Sequence, residues 1–269
     1  MGTNRKEDFD PIGYYKSYPS KVILRPGYPA RAQYKSTMLW KLYGHYILNS
    51  LGKINSYADI GGCFGFGANA MAFQIFKSQS AYPKTKVFEI SEDFVKIGRQ
   101  LFPYIDFVQK DIGESGCDHI FDLVTLFDVV EHIPNPNLFL MNVADISKYA
   151  LLLTPMETGG DWFRSKAPQK QGIEHKDGHV NFFTPKSYLR LLKNSGWELI
   201  DGKGIVSLAN IKSKDVLEPE KYYKINKIGL LYRLLENLQF SGTIPSSIYR
   251  KMLGGGFHIG LAKSLRCDL

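Results

Sequence analysis

The stretch SYADIGGCFGFGANA, Ser56 to Ala70, restricts the fold more than any other part of the chain. Tyr57, Ala58 and Ile60 suit a short buried strand with Asp59 near its carboxyl end, and Gly61, Gly62, Gly65 and Gly67 follow at once. A backbone so poor in Cβ atoms turns sharply and admits a ligand where a side chain would collide with it. From Ala68 the residues favour a helix, whose first amides and dipole would face the negative end of that ligand. Strand, glycine turn and helix in this order make a cofactor turn at the mouth of an open parallel sheet.

Two frames can be laid over the turn. Gly65, Gly67 and Ala70 match a dinucleotide fingerprint, with Glu89 about twenty residues on as the ribose acid. That frame begins five positions after Ile60, whereas the fingerprint should begin as the strand ends. The competing frame, Asp59, Gly61 and Gly65, starts where the strand stops.

The rest of the chain alternates strand and helix. A helix is expected from Ala32 to Leu51, with Gly52 as its stop, and strands at Thr85 to Ile90, Ile105 to Gln109, Phe121 to Phe127 and Ala150 to Thr154. Ser91 caps an intervening helix and another runs from Asn137 to Lys148. After a long loop from Pro155 to Phe183, Thr184 caps a helix with Pro185 at its first position, Trp197 opens a sixth strand, and Phe257 to Lys263 form the last. The rhythm predicts an α/β, doubly wound, mostly parallel sheet. Residues 1–54 form an N-terminal strap and helix, 55–205 with 254–269 the main domain, and 206–253 a basic helical insertion suited to a cap.

Charge is distributed unevenly. Of the net +8, the stretch from Lys203 to Arg266 holds most, with eleven basic residues against four acidic. Within it, Ile225, Ile228, Leu231, Leu235 and Leu238 make an apolar face ringed by lysines, read as a cap or as peripheral contact with an anionic membrane through 221–238. Its aromatic and basic residues match no RNA or DNA module, so nucleic acid is not the expected partner. The opening MGTNRKEDFD has no apolar core of a secretory signal, no segment spans a bilayer, and Cys63, Cys117 and Cys267 lack zinc spacing. A cytoplasmic protein with reduced thiols is expected.

The blocks DIGGCFGFG, VFEIS, FVQKDI, FDLVTLFDVVEHIPNP and HVNFFTPKSYLRLLKNSGWELI resemble, in this order, the motifs of the class I S-adenosylmethionine (SAM)-dependent methyltransferases. Cys63 stands where that family writes its middle glycine, and its Cβ is expected to tighten or reshape the turn. The resemblance implies a seven-stranded sheet with an antiparallel last strand and SAM lying across the strand carboxyl ends. It implies that Asp59, Gly61 and Gly65 shape the methionine pocket and that Gly62 lies near the methionine carboxylate. Glu89 would take both ribose hydroxyls, as a carboxylate can. Ile90 would cover one adenine face, Asp111 and Ile112 would bind the adenine edge, and Asp128 would sit near the methionine amine. The alternative reading of Asp111 is a helix cap.

Transfer to a hydroxyl needs positioning, exclusion of water and removal of a proton, and histidine suits the last at neutral pH. Among six histidines, His179 and then His132 are the expected catalytic residues, because their segments converge above the carboxyl edge; His45, His119 and His258 lie elsewhere. His175 and His179 have helical ligand spacing, but Asp177 and Gly178 argue against a helix there. A Mg²⁺ site using Asp128, Glu131 and His132 is the less favoured reading, and no metal is assigned. The acceptor expected is a small molecule, with a sugar or glycan precursor first. The alternatives are a SAM- or nucleotide-binding regulatory module without transfer activity and an NAD-dependent oxidoreductase.

Overall fold

The computed structural model describes residues 27–115, 119–156, 179–205 and 256–267. The N-terminal strap, the long loop with His175, and the insertion at 206–253 with its apolar face lie outside these residues.

Seven strands form one sheet: β1 Ser56–Ile60, β2 Lys84–Glu89, β3 Asp106–Gln109, β4 Phe121–Phe127, β5 Ser147–Met156, β6 Trp197–Ile205 and β7 Gly256–Ser264. Their order across the sheet is β3-β2-β1-β4-β5-β7-β6. The pairings from β3 to β5 are parallel, and β7 enters antiparallel between β5 and β6, as expected for the last strand. Chain order reverses direction between β1 and β4. A crevice opens beside the carboxyl ends at such a switch point.

Helices cover both faces: α1 Tyr28–Leu51, α2 Phe66–Gln79, α3 Glu92–Leu101, the short α4 Ile112–Ser115, α5 Pro136–Asp145 and α6 Pro185–Asn194, with a 3₁₀ turn at Val130–His132. Alternate residues of each strand feed the two layers. Tyr57, Leu123, Leu151 and Leu153 pack with Leu39, Ile47, Met71 and Ile75 of α1 and α2. Ala58, Val124, Leu126 and Leu152 pack with Leu140 and Val143 of α5 and Tyr188 and Leu192 of α6. Each fully buried Leu or Ile stabilises the fold by about 1.5–3 kcal/mol, so these two layers fix where the strand ends point.

Most boundaries follow the expectation, and the departures have local causes. α1 begins four residues early because Pro29 falls in its first turn, where its fixed φ suits a helix; its stop at Gly52 is as expected, with φ +70 and the Gly52 amide donating to the Leu48 carbonyl. The helix expected to reach Lys148 ends at Asp145, because Ser147 is already paired with Phe121 in the sheet and Lys148 reaches Asp122. β5 extends to Met156 because its register with β7 continues that far. The Thr184 cap is reciprocal, with Thr184 Oγ1 accepting from the Ser187 amide and Ser187 Oγ accepting from the Thr184 amide. Among the described residues, no helix is long and apolar enough to cross a membrane.

Candidate functional site

The site is assembled from the carboxyl ends of β1, β2 and β4. Gly61 continues β1 by donating its amide to the Phe88 carbonyl, and Gly65 closes the turn with φ +83, a left-handed value that favours glycine. At Gly62 the constraint is space: a Cβ there would stand 2.8 Å from Asp59 Oδ2. Gly65 is the cap of α2, so Gly67 and Ala70 already lie inside the helix. The turn is therefore the earlier frame, and the dinucleotide frame falls on helical backbone.

Asp59 faces its register partner Thr125, whose hydroxyl donates to Asp59 Oδ1 at 2.6 Å. Burial pushes the Asp59 carboxyl up to about 7, opposed by the Thr125 hydrogen bond; Glu89 adds to the rise and Lys35 opposes it. Glu89, at the end of β2, is also buried. Its carboxylate accepts three amides: Cys63 at 3.0 Å on one oxygen, Ile90 at 2.8 Å and Ser91 at 3.0 Å on the other. Burial still raises it above the ordinary value, because desolvation outweighs the amides. Cys63 takes φ +49, so a side chain occupies the left-handed position where a glycine is unstrained. Its amide nonetheless reaches Glu89. Its thiol is pushed up by burial and by Glu89, away from the thiolate.

Ile90 is half-buried beside Glu89. Asp111 Oδ1 accepts the Gly113 amide at 2.7 Å, so it caps α4, while Ile112 is buried beneath it. Asp128, immediately after β4, has φ +56 and its Oδ2 is paired with Lys35 Nζ. Its other oxygen is buried, with no partner among the described residues.

Lys35 was not anticipated. It is almost buried on α1, next to Ser36, whose hydroxyl donates to the Gly67 carbonyl at 2.8 Å and seats α1 against the glycine turn. A signal existed in the helical period: Lys35, Leu39 and Tyr43 follow at four-residue steps, and the last two are core. A lysine on a buried face requires an anion.

Past Asp128 the 3₁₀ turn carries Glu131 and His132. The segment leading to α6 is latched onto it, because the amides of Val180 and Asn181 both donate to the Glu131 carbonyl at 2.9 Å and Asn181 Nδ2 donates to the Ile133 carbonyl at 2.6 Å. This brings His179 to His132, with ring centroids 4.9 Å apart and planes at 74°. The Glu131 carboxylate is 1% exposed and lies 3.6 Å from His132 Nε2. The expected convergence of the two histidines is present. His45 hydrogen-bonds Asn49 and His119 packs on Phe121, away from this cluster, whereas His258 packs on Tyr188, a phenol that itself feels the charge of Glu131.

A bare-backbone turn over one buried carboxylate, with a second carboxylate at the end of the next strand, fits a cationic nucleoside ligand such as SAM. Fold and turn together define the class I SAM-dependent methyltransferase architecture. Residues 44–201 match the family model described as Methyltransferase domain, more than half of the chain, and the chain belongs to that family. No curated protein matches it in sequence. Among solved structures it is similar to the O-methyltransferase of a trans-AT PKS multienzyme of Brevibacillus brevis, in complex with S-adenosyl-L-homocysteine, at 16% identity and a TM-score of 0.52, covering 92% of this chain and 82% of that one. It is also similar to the [4+2]-cyclase SpnF, at 13% identity and a TM-score of 0.51, covering 82% and 79%. The second likeness shows that the shared fold does not fix the reaction.

Proposed function

We propose that this methyltransferase transfers its methyl group to a hydroxyl of a small-molecule acceptor, a saccharide or glycan precursor being the first to test. The observation that carries this reading is the His132–His179 pair over the buried Glu131, just beyond the strand end where the methionine moiety would lie. A hydroxyl acceptor must lose a proton, whereas a neutral amine need not before attack. The cofactor supplies an electrophilic methyl on a sulfonium. Asp59, Gly61, Gly62 and Gly65 hold the methionine end, Glu89 the ribose, Ile90, Asp111 and Ile112 the adenine, and Asp128 the amine. His179 and His132 orient the acceptor hydroxyl and govern its proton. The basic sequence at 206–253 would suit a cap, and contact of 221–238 with anionic membrane would suit a lipid-linked acceptor.

The decisive experiment pairs calorimetric SAM titration with turnover on a panel of hydroxyl and amine acceptors. The expected result is SAM binding with methyl ethers as products, and His179→Ala lowering turnover with SAM affinity nearly intact. Amine products, or wild-type rates in that variant, would overturn the assignment. SAM binding with no turnover on any acceptor would favour a regulatory module.

A further inference from the structure

We infer that Glu131, His132 and His179 form a binding site for one divalent transition-metal ion. Each offers one ligand atom, and these atoms lie within 4.8 Å of one another. The His132 Nε2 to Glu131 Oε1 separation of 3.6 Å is close to the edge of about 3.4 Å between ligands bound at about 2.1 Å in a tetrahedral site.

Two features support a metal over a structural hydrogen-bond cluster. The first is rigidity. His179 precedes α6 on a segment without regular structure, yet its two following amides are fixed on the carbonyl of Glu131 itself, so ligand and ligand-bearing backbone move as one unit. The second is composition, because two nitrogens and one carboxylate favour Mn²⁺, Fe²⁺ or Zn²⁺ over Mg²⁺, which prefers an all-oxygen shell. Three protein ligands leave positions open for an acceptor oxygen.

The role of the ion rests on the hydroxyl-acceptor reading above. With its oxygen on the ion, the acceptor hydroxyl loses its proton to solvent water more readily. The O–C bond then forms as the C–S bond breaks and its electron pair returns to sulfur.

The test uses the full-length chain stripped with chelator and titrated with MnCl₂, free Mn²⁺ being read by its paramagnetic resonance signal, and with ZnCl₂ in competition. One ion per chain is expected, with His132→Asn and His179→Asn each weakening binding by about tenfold or more, and His45→Asn leaving it unchanged. Far-UV circular dichroism confirms that each variant folds, and His179 is the safer site because it lies outside helix and strand. Failure of the wild type to retain Mn²⁺ or Zn²⁺, or equal affinity in the His132→Asn/His179→Asn double variant, would overturn the site. That failure would leave hydroxyl transfer standing if His179→Ala still lost turnover. Metal bound at these residues in an enzyme that methylates only amines would sink the hydroxyl reading and keep the site.

Discussion

The two ends of the sheet treat the same residue type in opposite ways. At the carboxyl end, Asp59 is buried at the end of β1 against Thr125, and desolvation lifts it to about 7. At the amino end, Asp122 begins β4 and is buried too, yet its carboxyl is held below the ordinary range. Burial works against Asp122 as well, but Lys148 Nζ at 2.8 Å and the amides of Asn55 and Ser56 at 2.8 and 3.1 Å outweigh it. The left-handed residues Cys63 and Asp128 cluster at the upper end with Asp59 and Glu89. One end of this sheet is built for stability; the other holds charge and backbone strain in reserve for a ligand.

The same substitution at both ends should therefore move stability in opposite directions. An acid whose folded pKa is raised gives stability that is complete below its unfolded value and is lost as pH rises. For Asp59 that window runs from about 4 to about 7. Asp59→Asn keeps an acceptor for Thr125 and removes the cost of ionisation, so at pH 8 it should stabilise the free protein by as much as about 4 kcal/mol. The gain should vanish toward pH 4. SAM affinity should fall in the same variant, because a cationic ligand favours the ionised carboxylate. Urea unfolding at the two pH values checks it, and equal stability at pH 8 would break the contrast.

Asp122→Asn should act with the opposite sign. A lowered folded pKa gives stability present above about 4 and lost as pH falls below it. Losing charge-assisted bonds from Lys148 and two amides should cost about 2–3 kcal/mol at pH 7, with SAM affinity unchanged. A change in affinity would mean that the two ends are coupled through β1 and β4. Glu89→Ala addresses the upper end alone. It should weaken SAM binding by more than about tenfold, a loss of at least ~1.4 kcal/mol, and calorimetry that found affinity unchanged would remove Glu89 from the ribose.

How much of this could be read from the chain follows the same division. The alternation of apolar residues in FDLVTLF and the capped start at Thr184-Pro185 are local signals, and both elements form where expected. The convergence of His132 and His179 was also legible, because topology alone brings the loops after β4 and β5 to one edge. Lys35 was not, since its partner Asp128 is 93 residues away and helix amphipathicity reports burial without naming what is met there. The Asp145 stop was missed for a similar reason: Ser147 and Lys148 are tolerable in a helix and are drawn into β5 by Phe121 and Asp122. The low value of Asp122 was equally hidden. Nothing near it in sequence supplies Lys148 or the Asn55 amide.

The smallest expected effect lies at Cys63. A non-glycine residue in the left-handed region costs on the order of 1 kcal/mol, and Cys63→Gly relieves it while sparing the amide that donates to Glu89. The glycine also enlarges the unfolded ensemble and gives up the packing of a buried thiol, so the net gain should be at most about 0.5 kcal/mol. Thermal unfolding with and without SAM distinguishes two causes. If the cysteine is tolerated only because Glu89 fixes the turn, Cys63→Gly should change stability little in wild type and should stabilise Glu89→Ala more, because the turn there lacks its anchor. Equal effects in both backgrounds would mean that the glycine turn holds its own shape, and that the Glu89 carboxylate is positioned by the turn and does not support it.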